Sequence, residues 1–206
     1  QKTRQPADQQ ATALALAGSR AARSGIFALE AADVFNILCI PEASRLDGPG
    51  AITNLTQVMA AAEPYCEERF AFLLIDPPPD VDTIDDALGW IGDLAAAGLR
   101  HRNAAAYFPR LRIADPLDGN RLRSVGPSGA VAGIYARTDG AFGVFRAPAG
   151  IVAGIRGVGG LDHRLSDPEN GLINPEGLNA IRANRTKAGV DPLDRGAQRP
   201  FARGHP

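Results

Sequence analysis

Three short apolar runs, each cut off by proline, limit what this chain can fold into. Val34 to Ile40 (VFNILCI) stops at Pro41, Phe70 to Asp76 (FAFLLID) at Pro77, and Asn103 to Phe108 (NAAAYF) at Pro109. Nearly continuous apolar runs of this length read as strands buried on both faces, and proline, which lacks an N–H, marks where pairing ends. Helical spacing fills the gaps between them. Ile52, Leu55, Val58, Met59 and Ala62 predict a helix over Ile52 to Glu68, bent or ended by Pro64. Thr83 predicts the cap of a second helix, with Asp85 and Asp86 in its first turn, an apolar stripe of Ile84, Leu88, Ile91 and Leu94, and a stop at Gly98. Strands alternating with helices predict an α/β domain with a mainly parallel sheet flanked by helices.

The flanking segments carry weaker patterns. Gln1 to Gln10 is polar and predicts a mobile arm, and the turn Asp47 to Gly50 precedes the first long helix. Ser124 to Arg137 predicts a further helix with Pro127 in its first turn, one face made by Ala130, Val131, Ile134 and Tyr135, and a turn at Asp139-Gly140. Ile151 to Val158 reads as a strand, Ser166 to Glu169 as a capping box, and Asn174-Pro175-Glu176 as the start of a short helix. From Arg182 onward six basic residues face two aspartates with few apolar groups, which predicts disorder. The expected division is an arm over 1–24, a core domain over 25–182 and a tail over 183–206. Phe35, Leu38, Leu74, Ile75, Tyr107 and Ile134 are the expected core. Gly133, Gly140, Gly143, Pro127 and Pro148 are expected to shape turns or close approaches, and Arg137 and Asp139 to bond each other.

At 206 residues with a net charge of -1, the chain is long enough for one sizeable core and has no global basic field to draw nucleic acid or an anionic membrane. No apolar run approaches the roughly 20 residues that span a bilayer. Cys39 and Cys66 lack CxxC spacing and read as buried reduced thiols. The chain opens at Gln1 without an initiator Met and reads as a piece of something longer.

Candidate chemistry is thin. Ser128, in Gly126-Pro127-Ser128-Gly129, departs from a nucleophile elbow because position 130 is Ala, and reads as a capping or turn serine. A triad of Ser128 with His101 or His163 and Asp139 can be written, and a small α/β hydrolase using Ser128 and His163 is the alternative function. Gly154 to Gly160 is spaced G-x-x-G-x-G-G, which is not a dinucleotide fingerprint; a close-packed turn or bulge is favoured over a nucleotide loop. Asp80, Asp82, Asp85 and Asp86 lack the glycine and terminal Glu of a calcium loop and read as a solvated helix start. His101, His163 and His205 are nowhere spaced i, i+4 as ligands. Arg110, Arg112, Arg121 and Arg123, near Tyr107 and Phe108, read as ion pairs between proteins or a solvated face, too narrow for nucleic acid. The expectation is therefore no catalytic residue, no cofactor and no metal site. A segment as closely specified as Ala104 to Ala149, without reactive groups, points to selection for shape and contact.

Several of these stretches together resemble the sheath proteins of contractile phage tails and of related phage-derived injection particles. They are GIFALEAADVFNILCIP (Gly25 to Pro41), FLLIDPP (Phe72 to Pro78), AAAYFPRLRIADPL (Ala104 to Leu117), VGPSGAVAGIYARTDGAFGVFRAPAG (Val125 to Gly150) and LINPEGLNAIR (Leu172 to Arg182). The resemblance implies a subtilisin-like α/β sheath domain without protease residues. It also implies copies of the same chain and an inner tail tube as partners, and a place in a virion tail or phage-like particle assembled in the bacterial cytoplasm. The ending TKAGVDPLDRGAQRPFARGHP departs from the family, which continues with an apolar strand and a further domain. That departure implies a truncated or frame-altered tail lacking what lattice assembly needs.

Overall fold

The structure is a computed structural model that describes residues 6–46, 51–149, 153–183 and 190–191. The turn at Asp47 to Gly50, the start of the Ile151 strand, Gln1 to Gln5 and most of the tail lie outside the described residues. The three apolar runs become β1 (Ile37–Cys39), β2 (Phe72–Ile75) and β3 (Ala104–Phe108), joined by β7 (Leu178–Ala180) into a four-stranded sheet of order β1-β2-β3-β7, every pair parallel. The expected parallel sheet with flanking helices is thus present.

Alternation across the pleat sorts the strand side chains onto two faces. Leu73, Ile75, Ala104, Ala106 and Phe108 join one apolar cluster with α2 (Ala51–Glu68) and α3 (Ile84–Ala96). Leu74, Ala105 and Tyr107 join a second cluster with Val131 and Ile134 of α4 (Ser128–Phe142). Leu38, Leu74, Ile75, Tyr107 and Ile134 are buried as expected, while Phe35 is only partly so. Thr83 caps α3 with a complete capping box through Asp86, and Asp80, Asp82, Asp85 and Asp86 are exposed.

The helix expected over Ile52 to Glu68 is present as α2 with Pro64 inside it, and the carbonyl deprived of a donor belongs to exposed Ala60. Several other expectations need correction. Residues 6–10 are not a mobile arm but open α1 (Pro6–Ala17), where Ala13 and Ala17, one turn apart, are buried as the helix packs on α2. α4 starts at Ser128, not Ser124, and runs through Gly133 and Gly140, which are exposed helical positions; the chain turns instead at Gly143, whose φ of +82° suits glycine. Asn174 to Gly177 is a turn, not a helix, after α5 (Asp167–Ile173), which the Ser166–Glu169 capping box opens. Arg182 onward is not wholly irregular: β8 (Arg182–Ala183) pairs antiparallel with β9 (Val190–Asp191).

A second sheet went unforeseen. β4 (Leu111–Asp115) and β5 (Arg121–Val125) form a hairpin, and β6 (Val158–Leu161) pairs on the far side of β4 with a register shift at Arg112/Ile113. The Gly154 to Gly160 stretch therefore runs into β6, and the strand expected over Ile151 to Val158 begins only at Val158 among the described residues, after the positive φ of Gly157. A Cβ on Gly159 would lie 2.6 Å from Leu122, so the close-packed reading of this glycine run holds there.

Candidate functional site

The richest polar chemistry gathers at the carboxyl ends of β1, β2 and β3, where the small sheet and the N-terminus of α4 meet the large one. Asp76 follows β2 directly, and its buried carboxylate accepts two short bonds from Ser128: from the backbone N–H to Oδ1 at 2.6 Å and from Oγ to Oδ2 at 2.6 Å. Gly126 makes room for it, since a Cβ there would sit 2.3–2.7 Å from the carboxylate atoms. Burial raises the Asp76 carboxyl above its ordinary range, against the Ser128 bonds and the charge of Arg110, which lower it.

Arg110, just past the end of β3, is buried beside this pair. Its Nε donates to Ser124 Oγ at 2.9 Å, and its Nη1 to the Pro77 carbonyl at 2.5 Å and to Ser44 Oγ at 3.4 Å. Ser124 Oγ in turn bonds Asp162 Oδ2, and Arg112 Nε donates to Asp162 Oδ1 at 2.8 Å. Two hydrogen-bonded groups thus lie side by side: Asp76 with Ser128 ties the end of β2 to α4, and Arg110 with Ser124, Asp162 and Arg112 ties the hairpin to Pro77 and to the residue after β6. Buried polar groups satisfied in this way fix the packing of their elements.

Of the residues singled out in the sequence, His205 lies outside the described residues; the others now have a position. Ser128 opens α4 but is 1% exposed, and its hydroxyl is committed to Asp76. Asp139 lies 11 residues along the same helix, about 16 Å away at the usual helical rise. His163 bonds Glu169 at 3.0 Å and faces the Phe108 ring, and His101 faces Glu63. The written triad is not assembled, and no hydrogen bond joins Ser128 to a histidine among the described residues. Arg137 donates to the Gly154 carbonyl at 3.2 Å. The arginine patch is no single solvated face: Arg110 is interior, because the hairpin folds it over the sheet edge, whereas Arg112, Arg121 and Arg123 pair with Asp162, Asp118 and Asp115 of their own chain. Tyr107 and Phe108 are core, and the Tyr107 hydroxyl bonds that of Tyr135 at 3.1 Å.

Sequence reasoning missed Asp76, although its signal was present: it is the one charge in FAFLLID, and it ends a run buried on both faces. It also missed that Glu63 and Glu67 on α2 meet His101, their ligand-type atoms all within 4.8 Å of one another. Burial pushes the Cys39 thiol up to about 11, despite a contact from Ser128 that lowers it, and the Cys66 thiol up to about 12. Exposed apolar side chains gather at the end of α4, where Phe142, Val144 and Phe145 lie together in sequence and Phe145 is 98% exposed.

No protein-family profile matches the chain, and no curated protein matches it by sequence. Solved structures do. A chain in the cryo-EM structure of the anti-feeding prophage baseplate, 6-fold symmetrised, is 26% identical over 81% of this chain and 39% of its own length, with a TM-score of 0.57. A chain in the same baseplate in its contracted state superposes with a TM-score of 0.66 at 21% identity, over 97% of this chain and 51% of that one. A chain of the anti-feeding prophage helical sheath in contracted state gives a TM-score of 0.49 at 24% identity, over 72% of this chain and 39% of that one. The chain therefore spans about two fifths to one half of the chains it resembles, and it shares the fold of a component of that particle.

Proposed function

We propose that this chain is a non-enzymatic structural subunit of a contractile, phage-derived particle, and within it a tail-sheath subunit built on a subtilisin-like sheath domain. The observation that carries the reading is the overlap with the anti-feeding prophage baseplate chain, at a TM-score of 0.57 and 26% identity over 81% of this chain. The polar junction supports it. The junction holds three serines, two aspartates and two arginines, and each of them bonds another element of the chain. Copies of itself and an inner tail tube are the partners in this reading, with the virion tail or particle as its location. The exposed Phe142, Val144 and Phe145 are apolar surface of the kind that subunit contacts cover.

Copy number tests it. Contractile particles purified by density gradient from the source cells are digested, and peptides of this chain are quantified against those of the inner tube. A sheath subunit is present in numbers close to the tube subunit. Recovery at a few copies per particle would contradict the sheath role, and absence from the particle fraction would contradict the whole proposal.

A further inference from the structure

Glu63 and Glu67 stand one helical turn apart on α2 and project from the same side. His101, in the loop that enters β3, faces both. Its Nδ1 lies 2.9 Å from Glu63 Oε1, and its Nε2 lies 3.5 Å from Glu67 Oε2. Arg102 donates to the other Glu67 oxygen, Oε1, at 3.0 Å, which leaves Oε2 turned to the ring.

The hydrogen bonding of this cluster does not close. Glu63 Oε1 is buried and accepts no hydrogen bond, even with a ring nitrogen 2.9 Å away. The backbone N–H of Asn103 points at that nitrogen from 3.3 Å, a contact that requires the nitrogen to be unprotonated. In that tautomer no proton lies between the nitrogen and Glu63 Oε1, and the two acceptors face each other unless positive charge sits against both. A buried acceptor without a donor is costly in any fold.

We propose that Glu63, Glu67 and His101 form a binding site for a divalent transition-metal ion of the Zn2+ class. One imidazole nitrogen and two carboxylate oxygens are a donor set suited to zinc and its first-row neighbours, whereas Mg2+ and Ca2+ favour oxygen alone. Three protein ligands leave a further position for water. Arg102 acts as a positioning residue by fixing the orientation of Glu67. The site joins α2 to the loop entering β3, so a bound ion clamps a helix of one layer to the centre of the parallel sheet. The competing arrangement is a protonated imidazole lying between two carboxylates with no ion, and the experiment separates the two.

The full chain, stripped with chelator, is titrated with Zn2+ and with Mg2+ by calorimetry at pH 7.5, and its thermal midpoint is followed. The site predicts one saturable Zn2+ equivalent, far weaker Mg2+ binding, and a midpoint raised by about 5–10 °C at a hundredfold excess over the Kd. Glu63→Gln and His101→Ala each weaken Zn2+ binding at least about tenfold, while His163→Ala and Cys66→Ser leave it unchanged. Co2+ substituted into the wild-type chain gives visible absorption without a thiolate charge-transfer band, a readout that needs no variant to fold. Absence of saturable Zn2+ binding overturns the proposal. So does binding that survives both ligand variants, or a thiolate band with Co2+.

Discussion

Replacing Gly126 by alanine places a methyl group where the Asp76 carboxylate already sits. The new Cβ would be 2.3 Å from Cγ, 2.4 Å from Oδ2 and 2.7 Å from Oδ1, none of which a real contact tolerates. Asp76 cannot swing aside cheaply, because Ser128 holds both of its oxygens at 2.6 Å. Either the carboxylate leaves those donors or the turn into α4 shifts. Each charge-assisted bond contributes roughly 1.5–3 kcal/mol, and partial relaxation recovers some of the loss, so the expected destabilisation is about 3–5 kcal/mol. For a chain of this length that lowers the thermal midpoint by roughly 6–20 °C. Urea unfolding followed by fluorescence of Trp90, the single tryptophan and a buried one, reads the effect. A double-mutant cycle isolates the cause. In an Asp76→Ala background the methyl has space, and adding Gly126→Ala should cost no more than about 0.5 kcal/mol. A Gly126→Ala protein as stable as its parent, or costs that simply add, would refute the argument.

Three further outcomes follow from the same geometry. Glu169 is held from its ordinary 4.5 down to about 2, first by the Ser166 hydroxyl and backbone and then by His163, so its contribution to stability is complete above pH 4.5 and lost as pH falls towards about 2; Glu169→Gln should flatten that acid limb in unfolding measured across pH. Both thiols, with pKa values pushed up by burial to about 11 and about 12, should react with a disulfide reagent at pH 8 far more slowly in the native chain than in urea, and equal rates would show that they are not enclosed. Ser128, enclosed and bonded to Asp76, should resist a fluorophosphonate probe; labelling at Ser128, found by peptide mass spectrometry, would favour the hydrolase alternative over a structural role.

The large sheet was legible because its strands obey one rule. Residues such as Leu73 and Leu74 face opposite apolar layers, so the run stays apolar throughout and a proline ends it. The β4–β5 hairpin was hidden by its charges. Leu111 and Ile113 alternate with the exposed Arg112 and Ala114, and a turn with Gly119 and Asn120 at positive φ follows, yet four arginines in fourteen residues look like a surface patch. Asp139-Gly140 is a turn signal that α4 overrides: Thr138 is buried one position before it, and the helix runs on through exposed positions to Phe142. The polar junction was the least legible part. Asp76, Arg110, Ser128 and Asp162 are spread over 87 positions, and only the topology that puts the strand ends beside the start of α4 brings them together.

Immunogold electron microscopy of contractile particles with antibodies raised against this chain puts the structural reading to its most direct test. Gold along the length of the shaft is the predicted result. Gold confined to one end of the particle would contradict the sheath assignment, and particles that stay bare would contradict a structural role in them altogether.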